Sequence, residues 1–580
     1  MKSNDLELAN LRHSAAHLLA ASVLSLYPHA KNAIGPSIEH GFYQDFDFGE
    51  VKLSEDDFPK IEKKMHELVK TWTGFAKSEM TKEEALAKYP LNEYKRELIE
   101  EIAKNGKSIS FYKSGDFLDL CKGGHIENPS SSLLYFTLLS IAGAYWRGNE
   151  KNKMLTRIYG TAFFTQKELD DYLTMLSQAK KRDHRKIGKE LDLFVFSDLV
   201  GAGLPLFTPK GTVLREELIA FSEKLQKKHG YQKVWIPHIT KVDLYKKSGH
   251  FDKFGDELFQ VKSQETTDKF VLKPMNCPHH IQIYASRPRS YKELPIRYME
   301  TTVQYRDEKA GEMLGLSRVR AISIDDSHVF CSLDHVEEEF AKVLSMVKEL
   351  YTALGLSYTA RLSFRDESDK YLGEKKDWDH AQNAIEKIAK EEKLPYTIAL
   401  GEAAFYGPKI DIMVVDALGR EWQCATAQLD FIQPKRFELT YVDNDGKEKT
   451  PVMVHKALLG SIERFLSVYI EHTEGKFPLW LSPVQIILLP IAERHEIYAE
   501  TIAQMCKEKG IRVSVDNRNE SLRAKIRDAT LQKIPLLGII GDEETAENKI
   551  AVRERNGNDL GKLSVSDFLQ KILDDIDKKV

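Results

Sequence analysis

The sequence predicts a multidomain α+β protein, and three observations carry the prediction. At 580 residues the chain is too long for one hydrophobic core, so two to about four domains are expected. Between residues 192 and 478 strand-like apolar runs, Gly/Pro turns and a few long helices follow one another without strict βαβ alternation, which predicts an antiparallel sheet flanked by helices. After Pro483 strands and helices take turns, the pattern of a smaller α/β domain with a mixed sheet.

In order along the chain, residues 1–175 mix helical segments with short strands and carry a polar cluster of their own. Helical periodicity then runs from Gln166 to about Leu191, so that 176–191 reads as a connecting helix. It ends in Lys180-Lys-Arg-Asp-His-Arg-Lys-Ile-Gly-Lys189, a run that suits either a solvated face or a local phosphate-binding surface. Within 192–478 the segments Phe270-Val-Leu, Arg297-Tyr-Met, Ile322-Ser-Ile and Gln423-Cys-Ala-Thr-Ala-Gln428-Leu have strand character. In 484–580, Val484-Gln-Ile-Ile-Leu-Leu-Pro-Ile reads as a buried strand, Arg494 to Lys509 as a helix closed by Gly510, and Ile511-Arg-Val-Ser-Val as a strand. A helix from Ser521 to Ile534 and the strand-like Leu536-Leu-Gly-Ile-Ile and Ile550-Ala-Val-Arg complete the domain.

Composition narrows the class. The hydrophobic fraction of 42% and charged fraction of 30% are those of a soluble globular protein. No stretch reaches the roughly 18 apolar residues of a membrane span, and Met-Lys-Ser-Asn-Asp-Leu-Glu at the N-terminus has no apolar signal core, so a cytoplasmic protein is expected. Five scattered cysteines argue against a disulfide framework and for reduced thiols available to metals. A formal net charge of −4 gives no general hint of nucleic acid, yet phosphate binding needs only a local basic face.

Three residues stand in short motifs that make sense together if they converge on one metal ion: Lys273-Pro-Met-Asn-Cys277-Pro, Asp325-Asp-Ser-His328-Val-Phe and Pro451-Val-Met-Val-His455-Lys. One thiolate and two imidazoles suit Zn²⁺ and leave a coordination position open. Between them lies Arg297-Tyr-Met-Glu-Thr-Thr-Val-Gln-Tyr-Arg306-Asp-Glu308, followed by Arg318-Val-Arg320, and beyond His455 lies Leu459-Gly-Ser-Ile-Glu-Arg464-Phe. Arginines on a hairpin and on a helix can clamp a triphosphate from two sides, since the guanidinium fork pairs with phosphate oxygens; taken singly they are also ordinary surface ion pairs.

In this order the segments resemble motifs 2 and 3 of a class II aminoacyl-tRNA synthetase, with Lys233-Val-Trp-Ile-Pro237-His resembling motif 1. With the Cys/His/His set the resemblance is to the threonyl-tRNA synthetase family, from about residue 11 to the C-terminus. It implies an editing domain at 1–175, a class II catalytic domain at 192–478 and an anticodon-binding domain at 484–580. It also implies the partners ATP, L-threonine and tRNA(Thr), a homodimer with Pro237 near the two-fold interface, and no membrane. One Zn²⁺ per chain would be held by Cys277, His328 and His455, with Mg²⁺ accompanying ATP. Arg306 would contact the α-phosphate and carboxylate, Glu308 the adenine, Arg464 the γ-phosphate, and Arg318 a further phosphate. Asp326 would receive the threonine hydroxyl, while Tyr406, Lys409 and Gln428 resemble pocket positions; for Tyr406 and Gln428 core packing is the competing reading. Glu544 and Arg553 resemble anticodon-reading positions.

Arg12-His13-Ser-Ala-Ala-His17 places two imidazoles at i and i+4 on one helix face, and Asp116-Phe-Leu-Asp119-Leu-Cys121-Lys-Gly-Gly-His125 adds a thiol and a third imidazole. On spacing alone this could be a second metal site. Resemblance implies instead the family's editing site, in which His13, His17, Cys121 and His125 hydrolyse mischarged seryl-tRNA without an obligatory metal; Lys95 and Asp119 are read beside it as supporting groups. The editing motif starts at His13, so the ubiquitin-like N-terminal domain usual in bacterial members is expected to be missing. The chain departs from the family pattern at Gln44, at Gly124 where proline is common, at His279 and at Ile324. A prolyl- or seryl-type synthetase, a silent RNA-binding paralogue and a metallohydrolase are the alternatives; the Cys/His/His set, the retained Arg306 and Arg464, and the length of chain beyond residue 175 argue against them in turn.

Overall fold

The computed structural model describes residues 3–149 and 151–579, and the chain divides into two compact units, Met1–Ser177 and Gln178–Val580. In the first, the Ala/Leu-rich helix Ser3–Leu26 buries Leu11, Ala15, Leu18 and Leu19 against Phe42, Phe46, Ile158 and Ala162 of an antiparallel sheet. That sheet runs Lys31–Asn32, Gly41–Asp47, Met154–Phe163, Tyr135–Tyr145, with Ser37–Ile38 paired to Gly41–Asp47. Gly160 is required there, because a Cβ would lie 2.5 Å from the Phe42 ring. A second sheet, Ala76–Met80, Ile109–Ser114 and Phe117–Leu120, carries Asp119 and leads directly into Cys121.

The connecting helix expected as one element is two. Gln166–Arg182 ends, Asp183 takes a non-helical ψ of 119°, and its carboxylate accepts the Arg185 N–H to cap the second helix, His184–Glu190. An Asp that bonds the backbone two residues on offers an alternative to the helical ladder, and here it interrupts the run.

The second unit is built on an eight-stranded sheet in the order Gln232–Lys233, Ile296–Tyr305, Ala321–Cys331, Val452–Ser461, Glu421–Asp430, Lys409–Val415, Ser357–Phe364, Tyr396–Leu400. Its interior pairs are antiparallel as expected, but both outermost pairs are parallel. Strands that short are supported by their inner neighbour, and the sequence has no local signal for their direction.

Where Ala321–Cys331 meets Val452–Ser461 the register shifts: Ile324 faces Ser461 while Asp326 faces Ala457. Three residues of one strand thus bulge against one of the other. The buried Asp325 carboxylate fills the gap, accepting the N–H groups of Leu458, Leu459 and Gly460 at 3.0–3.1 Å and the Ser222 hydroxyl at 2.7 Å. Beside it, Lys456 and Ser327 both donate to Gln226 on the helix Pro209–Lys228. Burial pushes the Asp325 carboxyl up and the Lys456 ammonium down, each held back by the other's charge. Successive strand residues face opposite ways, so Asp325, Ser327 and Lys456 beneath that helix leave Asp326, His328 and His455 on the other face.

Residues 486–577 form a five-stranded mixed sheet, Val513–Val515, Ile486–Pro490, Leu536–Ile540, Lys549–Glu554, Asp559–Ser564, the first two pairings parallel and the last two antiparallel. It is packed with Glu496–Glu508, Leu522–Leu531 and Val565–Asp577, burying Ile502, Phe568 and Leu569. Among the described residues no helix is long and apolar enough to cross a membrane.

The bulge gives a stability prediction. Asp325→Ala orphans three buried amides at about 1 kcal/mol or more each, so unfolding by urea should show a loss of at least about 3 kcal/mol. A variant within about 1 kcal/mol of the parent would contradict this account of the register.

Candidate active site

Strand register assembles the site. Across four neighbouring strands His328 stands opposite His455, His455 opposite Gln428, and Gln428 opposite Lys409. Asp326, two residues before His328, shares their face. Cys277 comes from elsewhere, at the start of the helix Cys277–Ala285 with Pro278 behind it in the first turn. Its Sγ and one nitrogen from each of the two imidazoles lie within 4.8 Å of one another, and all three residues are buried.

One ring nitrogen of each imidazole already has a partner. His455 Nε2 is 2.8 Å from Asp430 Oδ2, and His328 Nδ1 is 2.7 Å from His280 Nδ1. Each imidazole is therefore held by one nitrogen with the other left for the centre, the arrangement of metal-binding histidines supported from behind. His328 Nε2 is 3.6 Å from Asp326 Oδ1, and the Asp326 carboxylate is fixed by Asn276 at 3.1 Å and Gln304 at 3.4 Å. Burial pushes the Cys277 thiol well above its ordinary value and the His328 imidazole well below, leaving a thiol whose proton a cation would displace. The donor set fits a metal ion with an open position.

Tyr406 stacks on His455 with ring centroids 5.1 Å apart and donates its hydroxyl to Gln428 Oε1 at 2.6 Å. Gly407 lets this segment close in, since a Cβ there would fall 1.7 Å from the Leu429 carbonyl. Lys409 Nζ is 2.7 Å from Asp411, which also accepts from Ser363, Gln423 and Thr426.

The strands Ile296–Tyr305 and Ala321–Cys331 form an unslipped hairpin whose loop, 306–320, carries Arg306, Glu308 and Arg318. Burial lowers the Arg306 pKa, Glu257 and Glu308 pull it back up, and nearby Arg464 opposes them. Arg464, in the first turn of Ile462–Thr473, donates Nε to the Ser317 carbonyl at 3.1 Å. Glu308 and Arg318 meet each other: Arg318 Nε donates to Glu308 at 2.8 Å and its terminal nitrogen to Glu312 at 2.7 Å.

In the first unit His13 Nε2 is 3.1 Å and His125 Nε2 3.3 Å from Cys121 Sγ, and the His13, His17 and His125 rings lie 4.7–4.9 Å apart. Phe75 stacks on His125 at 4.0 Å. Buried Asp119 accepts from Lys95 at 2.7 Å, Tyr89 at 2.8 Å and Asn32 at 3.1 Å, and lies 3.8 Å from His17 Nδ1. Burial pushes His17 well below its ordinary value, His125 down to about 2, and the Cys121 thiol up. Four neutral groups at neutral pH result. Gly124, between the thiol and His125, has φ +89°, a conformation closed to proline.

In the last domain Glu544, on the helix Asp542–Glu547, accepts the Gly541 N–H at 2.9 Å and pairs with Lys562 at 3.2 Å, while Arg553 on the strand Lys549–Glu554 keeps a buried Nε without a partner among the described residues. No hydrogen bond joins Glu544 to Arg553.

Comparison with known proteins decides the family. Residues 259–473 match the tRNA synthetase class II core domain (G, H, P, S and T), 485–575 the anticodon binding domain, and 109–159 the threonyl and alanyl tRNA synthetase second additional domain. The chain is 50% identical over 574 residues to the threonine–tRNA ligase of Cytophaga hutchinsonii, covering 98% of this chain and 88% of that one. It is 47% identical over 579 residues to that of Thermus thermophilus, covering 97% and 88%. The chain belongs to the threonine–tRNA ligase family. A crystal structure of the RNA binding domain of threonyl-tRNA synthetase from Cryptosporidium parvum is 35% identical with a TM-score of 0.65, covering 68% of this chain and 98% of that one.

Two residues that brace this Cys/His/His cluster, Asp430 and His280, were not singled out from the sequence. Asp430 lies two positions after Gln428, so strand alternation alone would have put it on the same face. His280 lies three positions after Cys277, one helical turn along.

Proposed function

We infer that this chain activates L-threonine with ATP, transfers it to tRNA(Thr), and clears seryl-tRNA at the cluster in its first unit. The observation that carries the first part is the row His328–His455–Gln428 with the Cys277 sulfur within 4.8 Å of both imidazoles, a metal-ready pocket on the sheet whose hairpin loop holds Arg306. A zinc ion in that pocket, one per chain, would offer an open Lewis-acidic position to the amino group and hydroxyl of threonine. Asp326, fixed by Asn276 and Gln304, accepts the hydroxyl hydrogen. Tyr406 and Gln428 close the pocket wall, and Asp430 and His280 keep the two imidazoles turned inward.

No protein nucleophile is needed. The threonine carboxylate attacks the α-phosphate of Mg²⁺-bound ATP, pyrophosphate leaves, and the ribose hydroxyl of the tRNA end then displaces AMP. Arg306 and Arg464 neutralise charge on opposite sides of the triphosphate, and positioning supplies the rest. Glu308 and Arg318, now paired with each other, would separate to take adenine and phosphate. Glu544 and Arg553 are the groups proposed to read the anticodon, by paired acceptors and donors. A cytoplasmic homodimer with Pro237 near its two-fold axis completes the reading.

Valine lacks the hydroxyl that this pocket is built to bind, and such a site can reject it by factors of about 10⁴ or more. Serine keeps the hydroxyl and lacks only a methyl, a difference of about 1–3 kcal/mol in binding, so a second sieve is required. In the first unit the raised Cys121 thiol stays protonated and is a poor nucleophile. The depressed imidazoles stay neutral and can polarise water. Water, oriented among His13, His17, Cys121 and His125, therefore attacks the seryl ester, with Lys95 and Asp119 holding the frame.

Two outcomes test this. Purified protein should contain one zinc per chain, and Cys277→Ala should lose both the metal and threonine-dependent ATP–pyrophosphate exchange; a folded variant exchanging at the parent rate would sink the assignment. His17→Ala and Cys121→Ala should leave that exchange unchanged while slowing deacylation of preformed seryl-tRNA by about 10²-fold or more. If both hydrolyse it as fast as the parent, the cluster is structural.

A further inference from the structure

We propose that His184, which touches no substrate in the reading above, is a positioning residue of the adenylation loop: it clamps residues 315–317 to the helix Ile462–Thr473 and thereby sets where Arg306, Glu308 and Arg318 meet ATP. The proposal rests on the reading of the 306–320 loop as the ATP-binding one.

His184 is 3% exposed at the start of the short helix His184–Glu190. The Leu316 N–H donates to its Nε2 at 3.1 Å, so that nitrogen carries no hydrogen. The ring hydrogen is therefore on Nδ1, which donates to Glu471 Oε1 at 2.7 Å; the His184 backbone N–H donates to the same oxygen at 3.2 Å. Asp183, His184 and Glu471 lie close enough to hold a cation, but both ring nitrogens are already used. Glu471 is anchored in turn by Arg420 at 2.5 Å, and Arg182 bonds the Glu471 and His472 carbonyls at 3.3 and 3.1 Å.

The loop side is equally closed. Gly315 has φ +50°, and a Cβ on it would lie 2.3 Å from His184 Nε2, so the chain turns directly against the imidazole. Leu316 is fully buried. Ser317 gives its carbonyl to Arg464 Nε and shares a hydrogen bond with the Ser467 hydroxyl at 2.9 Å. Leu314 and Arg318 then pair backbone to backbone, and Arg318 holds Glu308. An unbroken series of contacts runs from His184 to the residues proposed to hold ATP.

Two substitutions separate the two ring nitrogens. His184→Asn keeps a donor near the Nδ1 position and removes the acceptor for Leu316; His184→Gln puts an acceptor back near the Nε2 position. In the full chain without ligands, amide hydrogen exchange of peptide 309–320 should speed up by about tenfold in the Asn variant. The KM for ATP in threonine-dependent pyrophosphate exchange should rise by about tenfold with kcat and the KM for threonine little changed, and the Gln variant should recover most of both effects. Should His184→Asn not fold, Ser467→Ala, which removes the Ser317 hydroxyl bond, must move both readouts in the same direction. Parent-like loop exchange in His184→Asn, a faster loop with an unchanged KM for ATP, or a Gln variant as impaired as Asn would overturn the proposal. A parent with no threonine-dependent exchange would defeat the functional reading instead, and the loop exchange alone would then decide whether His184 holds the loop.

Discussion

The register between Ala321–Cys331 and Val452–Ser461 is the constraint on which the rest of the catalytic unit depends. Side chains alternate faces along a strand, so a slip of one residue would turn His328 or His455 toward the helix Pro209–Lys228 and dissolve the pocket. Two features prevent it. The hairpin partner Ile296–Tyr305 pairs continuously from Ile296 opposite Phe330 to Tyr305 opposite Ala321. On the other side the three-against-one bulge is locked by a single carboxylate, Asp325, which no neighbouring register could satisfy. A buried acid is costly, and here it serves as a register pin directly behind the site it fixes.

The same economy of burial sets the chemistry of both clusters. Around Cys277 and around Cys121 desolvation raises the thiols, and it lowers His328, His13, His17 and His125. What differs is the surrounding frame. Asp430 and His280 turn the imidazoles of one cluster toward a common centre, as a metal requires. In the other, His13 and His125 both lean on the Cys121 sulfur and aromatic rings crowd the fourth side, which suits a small pocket for an ester and a water. On the function proposed above, discrimination is divided: one pocket would read a hydroxyl, the other a missing methyl.

Much of this was legible in the sequence, because motif residues carry their own context. Cys277, His328 and His455 stood in three separated motifs, and the hairpin around Arg306 was readable from the strand-like Arg297-Tyr-Met and Ile322-Ser-Ile on either side of it. What was not legible depends on pairings distant in sequence. Asp325 was quoted only as a neighbour of His328, since nothing local says that three amides 133–135 residues away converge on it. The parallel outer strands are set by partners of the same kind. The break at Asp183 was local and still missed: a basic, periodic run masked an Asp that caps the helix after it.

The central claim is that a hydroxyl-reading pocket on this sheet selects the amino acid. Amino-acid-dependent ATP–pyrophosphate exchange with threonine, serine, valine and proline, each offered to the same preparation, tests it most directly. Threonine and, more weakly, serine should support exchange, while valine falls below threonine by about 10⁴ in kcat/KM and proline gives none. Valine exchanging within about tenfold of threonine, or proline as the preferred substrate, would contradict the account.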